Sequence, residues 1–137
     1  MLEAVLILST LAAQAPAPGT PTYTPEQLAA GAIAEITSAE AVHRRQFPEV
    51  GYACSLERLV ETQMLLDVWL KGRRVDGYEF RVWCDARTTP QATFRAAAVP
   101  SKPEEGASRT VCTDESNVVR TLEGDAAACL AKGAAAR

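Results

Sequence analysis

Between Thr24 and Pro48 the chain carries one helix with both of its ends written into the sequence. Thr24 is a capping residue, and Pro25 suits the first helical position, where a missing N–H costs nothing. Gln27 stands where a capping box needs it. Leu28, Ala32, Ile36, Ala39, His43 and Phe47 then recur at spacings of three and four, which places them on one helical stripe flanked by Ile33 and Val42. Glu40, Arg44 and Arg45 fall largely outside that stripe and are expected to meet water. Pro48 ends the helix, because the residue before a proline is driven out of the helical region. An amphipathic rod in a short chain needs an apolar surface to lie on, and the residues beyond Pro48 must supply it.

The surface is a sheet. From Gly77, the residues Tyr78, Phe80, Val82 and Cys84 alternate with Glu79, Arg81 and Trp83, so the first set is expected to face the helix and the second to face away. A second strand is predicted over 92–99, with Phe94, Ala96 and Ala98 on one face; small alanines there allow a helix to approach closely. A third and fourth, 109–113 and 118–122, flank the turn Asp114-Glu115-Ser116-Asn117, whose Asp and Asn are turn residues. Between helix and sheet, the segment 55–70 reads as one or two helical turns from Leu56 and a second short helix ending at Gly72. A charged loop covers 71–76. Residues 123–137 read as a tail or a final frayed helical turn. The expected fold is therefore α+β: one long N-terminal helix packed on an antiparallel sheet of about four strands.

A chain of 137 residues suits one domain. Hydrophobic residues make up 47%, but alanine supplies much of this, so the core rests on few large side chains and gains from covalent staples. The net charge of −3 provides no basic field for nucleic acid or anionic lipid. Cys54, Cys84, Cys112 and Cys129 stand far apart, with no C-x-x-C pair and His43 as the single histidine, so zinc-knuckle and thioredoxin-type motifs are absent. A site using all four thiols for zinc is the alternative to two disulfides. Of the three pairings open to four cysteines, the strand layout favours Cys54–Cys84, at one end of the sheet, and Cys112–Cys129, which would tie down the C-terminus. No cofactor is implied.

The N-terminal stretch, 1–15, has the form of an export signal: an apolar run from Leu2 to Ala13, then Ala13-Gln14-Ala15 as a small-x-small cleavage site. The run is too short to span a bilayer, which takes ~20 apolar residues, so at most a short membrane association before processing is expected. Two features sit badly with a signal: no Lys or Arg precedes the run, and Pro16 comes directly after the cut. A mis-assigned start or a truncated longer segment is the alternative. Residues 16–23, with Pro16, Pro18, Gly19 and Pro21, form a stiff linker, and 24–137 is the folded domain.

Read together, Ile36-Thr37-Ser38-Ala39-Glu40, Phe47-Pro48-Glu49-Val50-Gly51-Tyr52, Leu56-Glu57-Arg58-Leu59, Gly77-Tyr78-Glu79-Phe80, Ala98-Val99-Pro100 and Cys112-Thr113-Asp114-Glu115-Ser116-Asn117-Val118-Val119-Arg120 resemble the globular part of type IV pilin-like proteins, including pseudopilins. The resemblance covers roughly residues 33–122, and its order and spacing carry it more than any one piece. It implies a long helix backed by a sheet of about four strands and a disulfide near the carboxyl end. It also implies a structural role in a surface filament or a type II secretion-type pseudopilus, with no catalytic residue and no cofactor. The chain departs from the family at its start, where Leu2-Glu3-Ala4-Val5-Leu6-Ile7-Leu8 only faintly echoes the polymerising helix and no prepilin leader precedes it. The expectation is a pilin-type head domain exported to the periplasm or cell surface, whose partners are other pilin-like subunits or envelope proteins. A secreted, disulfide-stapled α+β binding or inhibitory module is the other reading.

Sharper chemistry has weak support. His43, on the inward stripe, reads as a packed or edge-of-core histidine with one hydrogen bond before it reads as a base; Cys54 and Ser55 are near it in sequence, but no nucleophile elbow is present. Glu104-Glu105 and the doublets Arg44-Arg45 and Arg73-Arg74 read first as solvated charge. Trp69 belongs to the core. Trp83 is the most interesting: if exposed on the sheet it marks a contact site, and packing against the tail or the loop before Pro90 is the alternative. Trp83, Arg44 and Arg45 are therefore the candidate partner contacts.

Overall fold

Helix α1 (Pro25–Gln46) is unbroken, and its start is built as the sequence requires. Thr24 Oγ1 accepts from the Gln27 N–H at 3.2 Å while Gln27 Oε1 accepts from the Thr24 N–H at 2.9 Å. The Phe47 N–H closes the other end on the His43 carbonyl. The computed structural model describes residue 19 and residues 22–71, 75, 77–102 and 109–136. The expected export signal, most of the linker, the Gly72 cap, Arg73-Arg74 and Glu104-Glu105 lie outside the described residues.

Two short helices come next, α2 (Leu56–Glu61) and α3 (Val68–Lys71). Then come β1 (Tyr78–Trp83), β2 (Arg95–Pro100), β3 (Thr110–Asp114), β4 (Arg120–Leu122), helix α4 (Ala126–Lys132) and β5 (Ala134–Ala135). The strands form one antiparallel sheet in the order β1-β2-β3-β4-β5. Among the described residues the sheet thus has five strands, where about four were expected. The fifth is a pair of alanines held to β4 by backbone pairing, and two alanines carry no strand signal. The tail also holds more than a frayed turn: Asp125 caps α4 by accepting from the Ala128 N–H at 2.8 Å. The Asp114–Asn117 turn forms as expected, with Asn117 at φ 63° and its N–H on the Asp114 carbonyl.

The sheet is covered on both faces. On one, Ala29, Ala32, Ile33, Ile36 and Ala39 of α1 pack with Leu59, Trp69, Tyr78, Val82, Phe94, Ala96, Ala98 and Val111. Fully burying each large side chain there stabilises by about 1.5–3 kcal/mol. On the other, α4 places Cys129 and Leu130 on Ala97 and Cys112. The alternation in β1 and β2 is as read from the sequence, with Ala96 and Ala98 toward α1 and Ala97 toward α4.

Two expectations for α1 are corrected. Leu28 is 48% exposed, whereas Ala29 is buried, and Glu40, expected to meet water, is fully buried. The buried face is Ala29, Ala32, Ile33, Ile36, Ala39, Glu40 and His43. Alanines stand all around this helix, so apolar identity alone does not fix its rotation. Glu40 lies four residues after Ile36 and seven after Ile33, which places it on the buried stripe.

Candidate functional site

Both expected disulfides form, Cys54–Cys84 with a Cα–Cα distance of 5.2 Å and Cys112–Cys129 with 6.1 Å. All four thiols are thereby used, which removes the zinc alternative. Among the described residues no cluster of three His, Cys, Asp or Glu side chains stands ready to hold a metal, and no helix is long and apolar enough to cross a membrane.

The densest polar chemistry lies where α1 hands over to the loop leading to Cys54. Pro48 stops the helix, and the Val50 and Gly51 N–H groups turn back onto the Phe47 carbonyl at 2.9 and 2.8 Å. The chain then runs beside Gln91: the Gln91 N–H donates to the Val50 carbonyl at 2.8 Å, and the Tyr52 N–H donates to the Gln91 carbonyl at 3.0 Å. Gly51 adopts φ +82° at this crossing, and a Cβ there would stand 2.6 Å from the Gln91 backbone nitrogen and overlap its carbonyl oxygen. Only glycine meets both demands.

Two buried side chains of α1 latch this loop. His43 Nδ1 lies 2.7 Å from the Gly51 carbonyl, which can only accept, so Nδ1 carries the proton. Nε2 then accepts from Arg58 Nε–H at 3.3 Å, and the Arg58 guanidinium lies over the Phe47 ring. The expected packed histidine is thus present, but with both nitrogens engaged and no exposed ring atom. Glu40 Oε2 accepts from the Ala53 N–H at 2.9 Å, while Oε1 is buried with no hydrogen-bond partner. Burial pushes the Glu40 carboxyl up to about 8, against the smaller opposing effect of the Ala53 hydrogen bond.

Beside the latch opens a cleft of about 550 Å³, lined by Glu49, Tyr52, Cys54, Ser55, Arg58, Arg87, Thr88, Thr89 and Gln91 among others. Several of its polar groups are already committed. Ser55 Oγ accepts from the Arg58 N–H, Thr88 Oγ1 serves Pro90 and Ala92, and the Gln91 amide serves Ala86, Thr88 and Thr93. What remains to meet a partner is mainly the Glu49 carboxylate, the Arg87 guanidinium, the terminal nitrogens of Arg58 and Thr89. Neither family models, nor curated proteins, nor solved structures offer a match to this chain.

The three candidate partner contacts do not converge. Arg44 and Arg45 lie exposed near the end of α1, and Arg44 bonds the Tyr52 hydroxyl at 3.1 Å from a position over its ring. Trp83 points away from α1, as the alternation requires, but is half buried beside Ala97, Cys112, Cys129 and Leu130. Its Nε1–H donates to Asp85 at 3.1 Å, and the Arg81 guanidinium lies over its ring. Packing against the C-terminal segment is therefore the alternative that describes it. Sequence reasoning missed Glu40, Arg58 and Gln91 as members of the junction. The position of Glu40 relative to Ile33 and Ile36 was the available signal; Gln91 carried none, since its role comes from a long-range crossing.

Proposed function

We propose that this chain is a noncatalytic, pilin-like structural or accessory protein of a type IV pilus or type II secretion-type envelope assembly. The observation that carries the reading is architectural. One long N-terminal helix lies across an antiparallel sheet whose β3–β4 hairpin is succeeded by a disulfide to the C-terminal helix. That is the arrangement the pilin-like resemblance implies. The disulfides fit an oxidising, extracytoplasmic setting, which supports export to the periplasm or cell surface. The junction chemistry supports a noncatalytic role as well: His43 spends Nδ1 on the Gly51 carbonyl and Nε2 on Arg58 of α2, and Ser55 Oγ, the nearby hydroxyl, caps α2.

The test is to produce the full chain in a bacterium that assembles surface filaments and to shear those filaments from the cells. The expected outcome is recovery of the chain in the sheared or envelope-complex fraction. Recovery solely as freely diffusing protein would overturn the assignment. It would then favour the second reading, a secreted binding or inhibitory module, which the two arginines lining the cleft support.

A further inference from the structure

Among the described residues, strand β1 lies at one edge of the sheet, and the ladder shows which of its backbone groups face outward. The Ser101 N–H donates to the Gly77 carbonyl at 2.8 Å, and Tyr78 stands opposite Pro100, which has no N–H to give. Backbone groups in an antiparallel ladder alternate in direction residue by residue. Glu79, Arg81 and Trp83 therefore address β2, while Tyr78, Phe80 and Val82 address the free side. The Tyr78 N–H is taken by the Val75 carbonyl at 3.2 Å. The outward groups of Phe80 and Val82 have no backbone partner among the described residues. Such an edge is a template for another strand.

We propose that β1 pairs antiparallel with β1 of a second copy of this chain, centred on Phe80, giving a two-fold dimer with one continuous sheet. In this register Phe80 faces Phe80 of the second copy as a hydrogen-bonded pair, and the Val82 N–H meets the free Tyr78 carbonyl. The charge pattern selects a second copy over an arbitrary strand. Glu79 and Arg81 are both exposed and lie on the same face of β1. Two-fold pairing about Phe80 sets Glu79 against Arg81 of the second copy, and Arg81 against its Glu79. Those are non-hydrogen-bonded positions, where cross-strand side chains lie closest. The strand is thus complementary to itself.

Area makes the same point. A pairing of so few residues falls short of the roughly 1,200–2,000 Å² of a stable interface, so neighbouring apolar surface must join it. Trp69 packs edge-on against Phe80, with ring centroids 5.3 Å apart, and so anchors α3 beside this strand. Its neighbours Leu66, Val68 and Leu70 are 73%, 46% and 47% exposed. They supply apolar surface that monomeric proteins seldom leave clustered. The inference does not rest on the pilin-like reading.

The test uses the full oxidised chain and two charge reversals, Glu79→Arg and Arg81→Glu, in analytical ultracentrifugation. Wild type is expected to dimerise reversibly, with exchange of the Phe80 and Val82 amides slowing as concentration rises. Each reversal alone sets like charges opposite each other twice per dimer and weakens association by about tenfold or more. Mixing the two variants restores opposite charges at every pair, so the mixture is expected to recover wild-type affinity as a heterodimer. That recovery also shows that both variants are folded. A wild-type chain that stays monomeric up to roughly 1 mM overturns the proposal, even if its edge amides become protected by some other protein. So does a dimer whose strength ignores both reversals.

Discussion

The two disulfides staple opposite faces of one sheet, yet the interiors they close are chemically different. Cys112–Cys129 holds α4 on a patch with, among the described residues, no ionisable side chain in its interior, where Ala97, Cys112, Cys129 and Leu130 are buried and the buried Thr110 spends its hydroxyl on the Gly124 carbonyl. Arg120 there donates to the Leu130 carbonyl, and Asp125 caps the helix from an exposed position. Cys54–Cys84 closes a junction whose interior holds an acid and a histidine, each spent on a backbone group of the 51–53 loop. The apolar seal depends on its covalent tie and on packing. The polar junction depends in addition on backbone geometry and on the protonation of one carboxyl. A loop that must cross another segment at close range leaves N–H and C=O groups buried, and side chains of α1 have to satisfy them.

The sharpest way to break this contrast is Gly51→Ala. The substitution forces a side chain into left-handed backbone and into the Gln91 main chain, neither of which is a flexible side-chain end that can move aside. It is expected to cost about 4 kcal/mol, at the top of the usual range for one residue. Urea unfolding monitored by far-UV circular dichroism checks this; a loss under about 1 kcal/mol would mean the crossing is loose.

Removing either disulfide comes next. The bridged residues are 30 apart for Cys54–Cys84 and 17 apart for Cys112–Cys129. Loop-closure entropy then predicts losses of about 3–4 kcal/mol, with the longer loop contributing about 0.5 kcal/mol more. Paired Cys→Ala variants measured by calorimetry test both numbers. His43→Ala ranks close behind, at about 2–4 kcal/mol, because it opens a cavity and strands the Gly51 carbonyl. That exceeds the modest cost an edge-of-core histidine would carry.

The junction should respond to pH through Glu40. Its folded-state affinity for protons is raised above the ordinary carboxyl value of 4.5, to about 8, by burial. The folded state therefore binds more protons than the unfolded state between those values. Stability falls as pH rises through that window, is unpenalised below it and levels off above it. The fall is expected to be on the order of 3–4 kcal/mol between pH 5 and pH 8. Glu40→Gln keeps the acceptor for the Ala53 N–H and removes the charge, so it should flatten this part of the profile. Loss of Cys112–Cys129 should leave the slope unchanged. An identical slope in wild type and Glu40→Gln would assign the effect elsewhere.

What the sequence made readable divides along the same line. The limits of α1 and the faces of β1 and β2 come from caps, a proline and strict alternation, all local signals. The pairing of the cysteines became readable once the strands were placed. The rotation of α1 was misjudged by the width of one residue, because Ala29, Ala32 and Ala39 look the same to a pattern as the exposed Ala34 and Ala41. β5 and the role of Gln91 arise from backbone partners distant in sequence, and no local preference announces them. The polar junction was half visible: His43 stood on the inward stripe, whereas Glu40 was placed outside that stripe and expected to meet water. Its helical position already argued otherwise.

The smallest expected effect separates α1 from both stapled regions. Gly31 lies mid-helix and exposed, and a Cβ there meets nothing within 4 Å. Gly31→Ala therefore changes no contact and acts by restricting the unfolded chain and favouring the helix, a gain of about 0.5–1 kcal/mol. Since Gly31 touches neither the junction nor the α4 seal, the gain should add unchanged in the Glu40→Gln background and in the variant lacking Cys112–Cys129. Chemical denaturation of Gly31→Ala in each background and in wild type measures this directly. A gain that vanishes when the 112–129 tie is removed would show that α1 and the C-terminal face are coupled through the sheet, and the two regions would have to be treated as one cooperative unit.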